Sequence, residues 1–154
     1  CVGAGLATIR FDFRGVNDSE GAHGGGVDER MDALAAVEVA ETFVGDGRLV
    51  MAGYSFGAHV ALDSIHPRID TWLAVAPPIG MIGSTPAAAT DPRPKLLLVP
   101  AHDQFSPPER TRPSTADWEA TTIEVIDMAD HFLAGRMAEV AERTTRFVSE
   151  PAVR

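Results

Sequence analysis

Cysteine, positive charge and long apolar runs are all scarce in this sequence, and each shortage excludes something. A single cysteine, Cys1, among 154 residues leaves no intrachain disulfide and no four-cysteine zinc site, so a reducing compartment, the cytoplasm, is the expected home. Thirteen lysines and arginines against 22 aspartates and glutamates give a net charge of −9. Such a surface repels phosphate backbones and anionic lipid, so neither nucleic acid nor a membrane is expected as a partner. No apolar run reaches the 18 or so residues of a membrane span, and the first residues lack the basic, apolar, small-residue order of a secretion signal. Neither H-E-x-x-H nor paired Cys/His spacing occurs, so no metal is expected.

What remains is an ordinary globular composition, 45% apolar and 23% charged, of a length suited to a single domain over residues 1–154. A chain of this size buries roughly 70% of its unfolded surface and needs no covalent staple. Apolar residues begin at once, with no initiator Met, and run directly into a strand pattern, as in a fragment that starts inside a domain.

Residues 6–13 are β-branched and aromatic and follow glycines, which predicts a strand; residues 14–26 carry five glycines together with Asn17, Asp18 and Ser19, which is loop chemistry. From Asp28 the period changes to about 3.6, with Met31, Leu34, Ala35, Val39 and Phe43 as the apolar stripe of a helix. Glu38 falls inside that stripe, and Gly45 and Gly47 end the helix. Further strands are predicted at 49–52, 69–76, 95–101 and 121–126, and helices at 56–65 and 132–149. Leu96-Leu97-Leu98-Val99 is apolar on both faces, the pattern of a central parallel strand covered on both sides. Alternation of strand and helix predicts an α/β fold, three layers around a mostly parallel sheet. The stretch 77–94, rich in Pro, Ala and Gly, is a long connection of the kind that often carries function.

Gly53-Tyr54-Ser55-Phe56-Gly57 reads G-x-S-x-G and lies between a predicted strand and a predicted helix. A serine on such a sharp turn projects its hydroxyl above the sheet, and the helix starting at Phe56 points free N–H groups at the same place. The N–H of Phe56 is placed to stabilise an oxyanion. The alternative is a buried turn serine flanked by packing glycines. A nucleophilic serine needs a base, and the base an orienting acid. Asp103 follows the strand at 95–101 and His131 follows the strand at 121–126, so both fall at the carboxyl edge where α/β sheets place their sites. Asp130 is the rival acid, disfavoured because adjacent side chains point apart, and Asp127 is weaker still. Among the other histidines, His59 suits helix packing, His66 a cap before Pro67, and His102 either substrate contact or solvent; His23 sits in the glycine-rich loop.

The order Ser55, Asp103, His131 resembles that of the α/β-hydrolase superfamily, near its dienelactone-hydrolase-like and small serine-hydrolase members. Residues 11–21, Phe-Asp-Phe-Arg-Gly-Val-Asn-Asp-Ser-Glu-Gly, are similar to that family's F-D-x-R-G-x-G-x-S-x-G turn, with Asn17 where glycine is usual. The resemblance runs from Leu6 to the last helix. It implies an acyl-enzyme mechanism without cofactor or metal, a small-molecule acyl substrate, and Ser55, Asp103 and His131 as the catalytic residues. It also implies an N-terminal truncation, with one strand and the loop carrying a second oxyanion donor lying ahead of Leu6. The exposed edge left by that strand keeps a homo-oligomer open. Gly3-Ala4-Gly5 is no dinucleotide fingerprint, since its third glycine would fall at Thr8, and the loop 21–26 lacks the Lys-Ser/Thr of a phosphate loop. Tyr54, Met81 and Ile82 are the candidate substrate-pocket residues, although packing on the sheet is an equal reading for the last two. Two alternatives to an esterase stay open, a serine peptidase of the same fold and a binding domain without catalysis.

Overall fold

A computed structural model describes residues 5–81 and 85–149. In chain order it contains helix α1 (Glu29–Val44), strand β1 (Val50–Tyr54), helix α2 (Phe56–Asp63), strands β2 (Thr71–Val75) and β3 (Lys95–His102), helix α3 (Pro108–Ser114), strand β4 (Thr121–Asp130) and helix α4 (Met137–Ser149). The four strands pair in the order β1-β2-β3-β4, every pair parallel. Parallel neighbours require crossover connections, and the alternation of elements supplies them.

The period of two along β2 and β3 divides the core between two faces. Trp72, Ala74, Leu97 and Val99 point to one side and pack with Val37 of α1 and with Ala58 and Leu62 of α2. Leu73, Val75, Leu96 and Leu98 point to the other and meet Leu133 and Val140, with Phe147 at the margin. The sheet is thus the middle of three layers, and the doubly apolar β3 lies inside it. Each fully buried Leu of this strand contributes roughly 1.5–3 kcal/mol relative to leaving it exposed. Trp72, fully buried, donates its indole N–H to the Ser64 carbonyl at 3.2 Å and carries the Arg93 guanidinium over its ring at 4.6 Å. Lys95, at the start of β3, is buried with its ammonium donating to the carbonyls of Asp91 and Arg93.

Three sequence expectations are corrected. Residues 6–13 form no strand, because no neighbouring strand pairs with them among the described residues. Between them and the free edge of β1 lies an apolar hollow of about 640 Å³, lined by Leu6, Ile9, Phe11, Phe43, Met51 and Val148 among others. Secondly, α1 buries Glu29, Ala33 and Val37, whereas Met31, Val39 and Phe43 of the predicted stripe are exposed. Small side chains allow α1 to lie close, and the Glu29 carboxylate is buried because it accepts N–H bonds from Gly24 and Gly26, both 2.7 Å. Finally, the last helix starts at Met137, five residues later than expected, and α3 was not foreseen because Pro108 and Pro113 obscure its period. Among the described residues no helix is long and apolar enough to cross a membrane.

The glycine-rich loop is sewn to α1 by charge. Arg14 gives its backbone N–H (3.0 Å), Nε (3.1 Å) and Nη2 (2.8 Å) to the Asp32 carboxylate. The Arg14 hydrogen bonds hold the Asp32 carboxyl below its ordinary range. A depressed folded-state pKa means that the unfolded chain binds more protons, so this stabilisation is present at neutral pH and is lost as pH falls through the carboxylate range. Melting curves from pH 7 to pH 3 should therefore show Asp32→Asn less stable than the parent near neutrality and less sensitive to acid below about pH 4. Parallel curves would disprove the linkage.

Candidate active site

Three chain segments meet at the carboxyl ends of β1, β3 and β4. Ser55 forms the turn between β1 and α2 with φ 50° and ψ −118°, a left-handed conformation that few non-glycine residues adopt. The turn is held by the Ser55 N–H donating to the Val75 carbonyl at 2.9 Å, and by the Ser55 carbonyl accepting from Ala58 and His59 in the first turn of α2. Its tightness depends on Gly53, where a Cβ would stand 2.5 Å from the Ala58 nitrogen and nearer still to the Gly57 carbonyl. Gly57 is different, with only a Phe13 ring carbon at 4.0 Å from such a Cβ. The Phe56 N–H, in the first position of α2, has no partner carbonyl within the helix.

Asp103 and His131 come to Ser55 from β3 and β4. The register between these strands shifts after Pro100↔Ile126, so that His102 pairs with Asp130 and β4 carries extra residues around Met128, itself at φ 52°. This bulge extends β4 beyond the predicted end at 126 and aims the next residue, His131, across the sheet edge. Ser55 Oγ lies 2.8 Å from His131 Nε2, and His131 Nδ1 lies 2.9 Å from Asp103 Oδ2. The other carboxylate oxygen, Oδ1, accepts the N–H of Phe105 at 2.8 Å and of Ser106 at 3.0 Å. With one oxygen occupied by its own turn, Asp103 presents the second to the imidazole. Both side chains are almost wholly removed from solvent, so this hydrogen bond is shielded from bulk water.

The rival acid Asp130 is turned to other work, and the imidazole pairs with Asp103 instead. Asp130 Oδ1 accepts the N–H of Phe132 and caps its own turn. His59 is half-buried against Gly26, and burial lowers its pKa. His66 accepts the Arg68 N–H in a turn, while His23 Nδ1 lies 2.7 Å from Glu29 Oε1. His102 is exposed at the end of β3.

Tyr54 stands beside His131, with ring centroids 5.6 Å apart, and its hydroxyl donates to the His131 carbonyl at 3.0 Å. Burial, reinforced by the charges of Asp103 and Asp130, raises the phenol pKa, so the group remains a donor through neutral pH. Phe105 and Phe132 meet the same imidazole edge-on at 4.6 and 5.7 Å. Neither phenylalanine was singled out in the sequence. Phe105 lies two residues from Asp103 and Phe132 immediately follows His131, but an apolar residue beside a polar one carries no local signal. Met81 is exposed after β2, on a loop tied to the acid turn by Ser106 Oγ donating to the Ile79 carbonyl. Ile82 lies outside the described residues. Among the described residues no group of three or more His, Cys, Asp or Glu side chains could hold a metal ion.

Comparison with known proteins places this geometry in context. No protein-family model matches the chain. An uncharacterized protein of Rickettsia prowazekii is 35% identical over 81 residues, which are 51% of this chain and 34% of that protein. The chain thus matches about a third of that relative's length. Among solved structures, an alpha-beta serine hydrolase homologue from Coxiella burnetii superposes with a TM-score of 0.80 at 28% identity, over 91% of this chain and 68% of the other. A serine hydrolase without lid from Xanthomonas campestris gives 0.77 at 24% identity, over 94% and 67%. The Pyrococcus furiosus esterase Pf2001 gives 0.72 at 18% identity, over 89% and 68%. With its parallel sheet, its strand-to-helix serine turn and this agreement along about nine-tenths of its length, the chain has the α/β-hydrolase fold.

Proposed function

We propose that the chain is a serine hydrolase that cleaves carboxylic esters or related small acyl compounds. The observation that carries this reading is the continuous relay from Ser55 Oγ through both ring nitrogens of His131 to Asp103. Ser55 Oγ attacks the acyl carbon as its proton passes to His131 Nε2. The C–O bond to the leaving alcohol then breaks, the alcohol departs with that proton, and Ser55 is left acylated. Water, deprotonated by the same imidazole, adds to the acyl carbon and releases the acid, returning the proton to Ser55. Asp103 holds Nδ1 protonated, which directs the lone pair of Nε2 toward the serine, and stabilises the imidazolium formed in each step. The Phe56 N–H donates to the oxyanion. Exposed Phe105 and Phe132 beside the imidazole favour an apolar group beside the reacting carbonyl.

A fluorophosphonate probe tests the assignment directly, because phosphonylation requires an activated serine but no particular substrate. One adduct per chain, mapped to Ser55 by peptide mass spectrometry and absent from Ser55→Ala, is expected. A folded parent that takes up no probe would overturn the reading.

A further inference from the structure

The backbone of His131 is held by side chains on both sides. Its carbonyl accepts the Tyr54 hydroxyl at 3.0 Å, and its N–H donates to Gln104 Oε1 at 3.2 Å. Tyr54 immediately precedes Ser55, and Gln104 immediately follows Asp103. The two ties therefore run from the serine turn and from the acid turn to the histidine turn. They act where regular backbone pairing has ended, one residue past β4 and two residues before Leu133, which has φ 56°. We propose that Tyr54 and Gln104 are positioning residues, which clamp the His131 backbone on either side of its Cα and so set the reach of its imidazole to Ser55.

This inference rests on the hydrolase reading and makes Tyr54 something other than a pocket residue. The distinction has a kinetic signature. A misplacement of about 1 Å at a reacting group can cost on the order of 10²-fold in rate. Losing one of two ties is therefore expected to lower kcat about tenfold and to leave KM within about twofold. A pocket residue would instead raise KM with kcat preserved.

Tyr54→Phe keeps the ring and removes only the hydroxyl, whereas Gln104→Met keeps the length of an exposed side chain and removes the acceptor. Gln104→Glu restores an acceptor for the same N–H and serves as the rescue. For an activated ester, kcat and the fluorophosphonate labelling rate should fall together in Tyr54→Phe and Gln104→Met, with melting temperatures close to the parent's. Both should recover in Gln104→Glu.

The downfield proton resonance of His131 Nδ1–H, bonded to Asp103, supplies a readout independent of turnover. It should broaden in the two disruptive variants and sharpen again in the rescue. Unchanged kcat and an unchanged resonance in both variants would overturn the clamp, as would a KM effect alone. If the folded parent neither labels nor hydrolyses, the hydrolase reading has failed, and the resonance alone still decides whether the clamp holds the imidazole.

Discussion

His131→Ala is expected to lower kcat for a p-nitrophenyl ester by about six orders of magnitude, and Ser55→Ala by about as much. The two losses should not add. Serine attack and proton removal belong to one event, so once either partner is gone the other has nothing to assist, and the double variant should be no slower than the worse single one. Asp103→Asn is expected to fall short of this, by about 10⁴, because it leaves both reacting groups in place but reverses the preferred tautomer at Nδ1. The structure sharpens that expectation, since Asp103 Oδ1 already accepts two backbone N–H groups, from Phe105 and Ser106. The amide of an asparagine would keep its oxygen toward those donors and turn its NH₂ toward His131, where a donor meets a donor. Steady-state hydrolysis by the four variants checks the series. Rates within tenfold of the parent in His131→Ala would remove the histidine from the mechanism.

The second large effect concerns folding, and it separates the two glycines of the G-x-S-x-G motif. Gly53→Ala places a methyl against the Gly57 carbonyl and the Ala58 nitrogen, backbone atoms of α2 that cannot move without shifting the helix off the sheet. The expected cost is about 3 kcal/mol or more, at the upper end of overpacking penalties. Gly57→Ala meets open space within a helix, where alanine is favoured over glycine, and should lie within about 1 kcal/mol of the parent. Urea unfolding of both variants measures the contrast. Equal stabilities would show that the turn is not limited by contact at Gly53. The sequence reading treated these glycines alike, because a motif records residue identity and not the direction in which each Cβ would point.

Much of the site was legible because its residues follow strands that are strongly patterned. The doubly apolar run Leu96–Val99 announced a central strand, and the residues just beyond it had to fall at the carboxyl edge, which is where Asp103 lies. His131 was legible for the same reason, although the bulge that delivers it was not. Positive φ at Met128 leaves no mark on local composition, since any residue forced there by sheet pairing adopts it. The phase of α1 was misread because its buried face is made of Ala33, Val37 and a carboxylate, whereas hydrophobic periodicity weights the large Met31, Val39 and Phe43 that face outward. Residues 6–13 have the composition of a strand without a hydrogen-bonded neighbour in the described fold, and composition cannot report pairing. The ties from Tyr54 and Gln104 to the backbone of His131 were invisible for a related reason, since backbone acceptors and donors are the same at every position.

Strand order in this sheet is also the order of translation. Each strand from β2 onward adds beside the one made just before it, with no insertion between strands already paired. On a ribosome such a sheet can be laid down from one side as the polypeptide emerges, each crossover helix closing over a neighbour that already exists. The serine turn, between β1 and α2, is synthesised first, its acid partner 48 residues later by position, and its base after a further 28. Until the bulged end of β4 has left the exit tunnel and docked, the Ser55 hydroxyl has no His131 ring to bond, so on the proposed hydrolase reading a nascent chain carries its serine without its base.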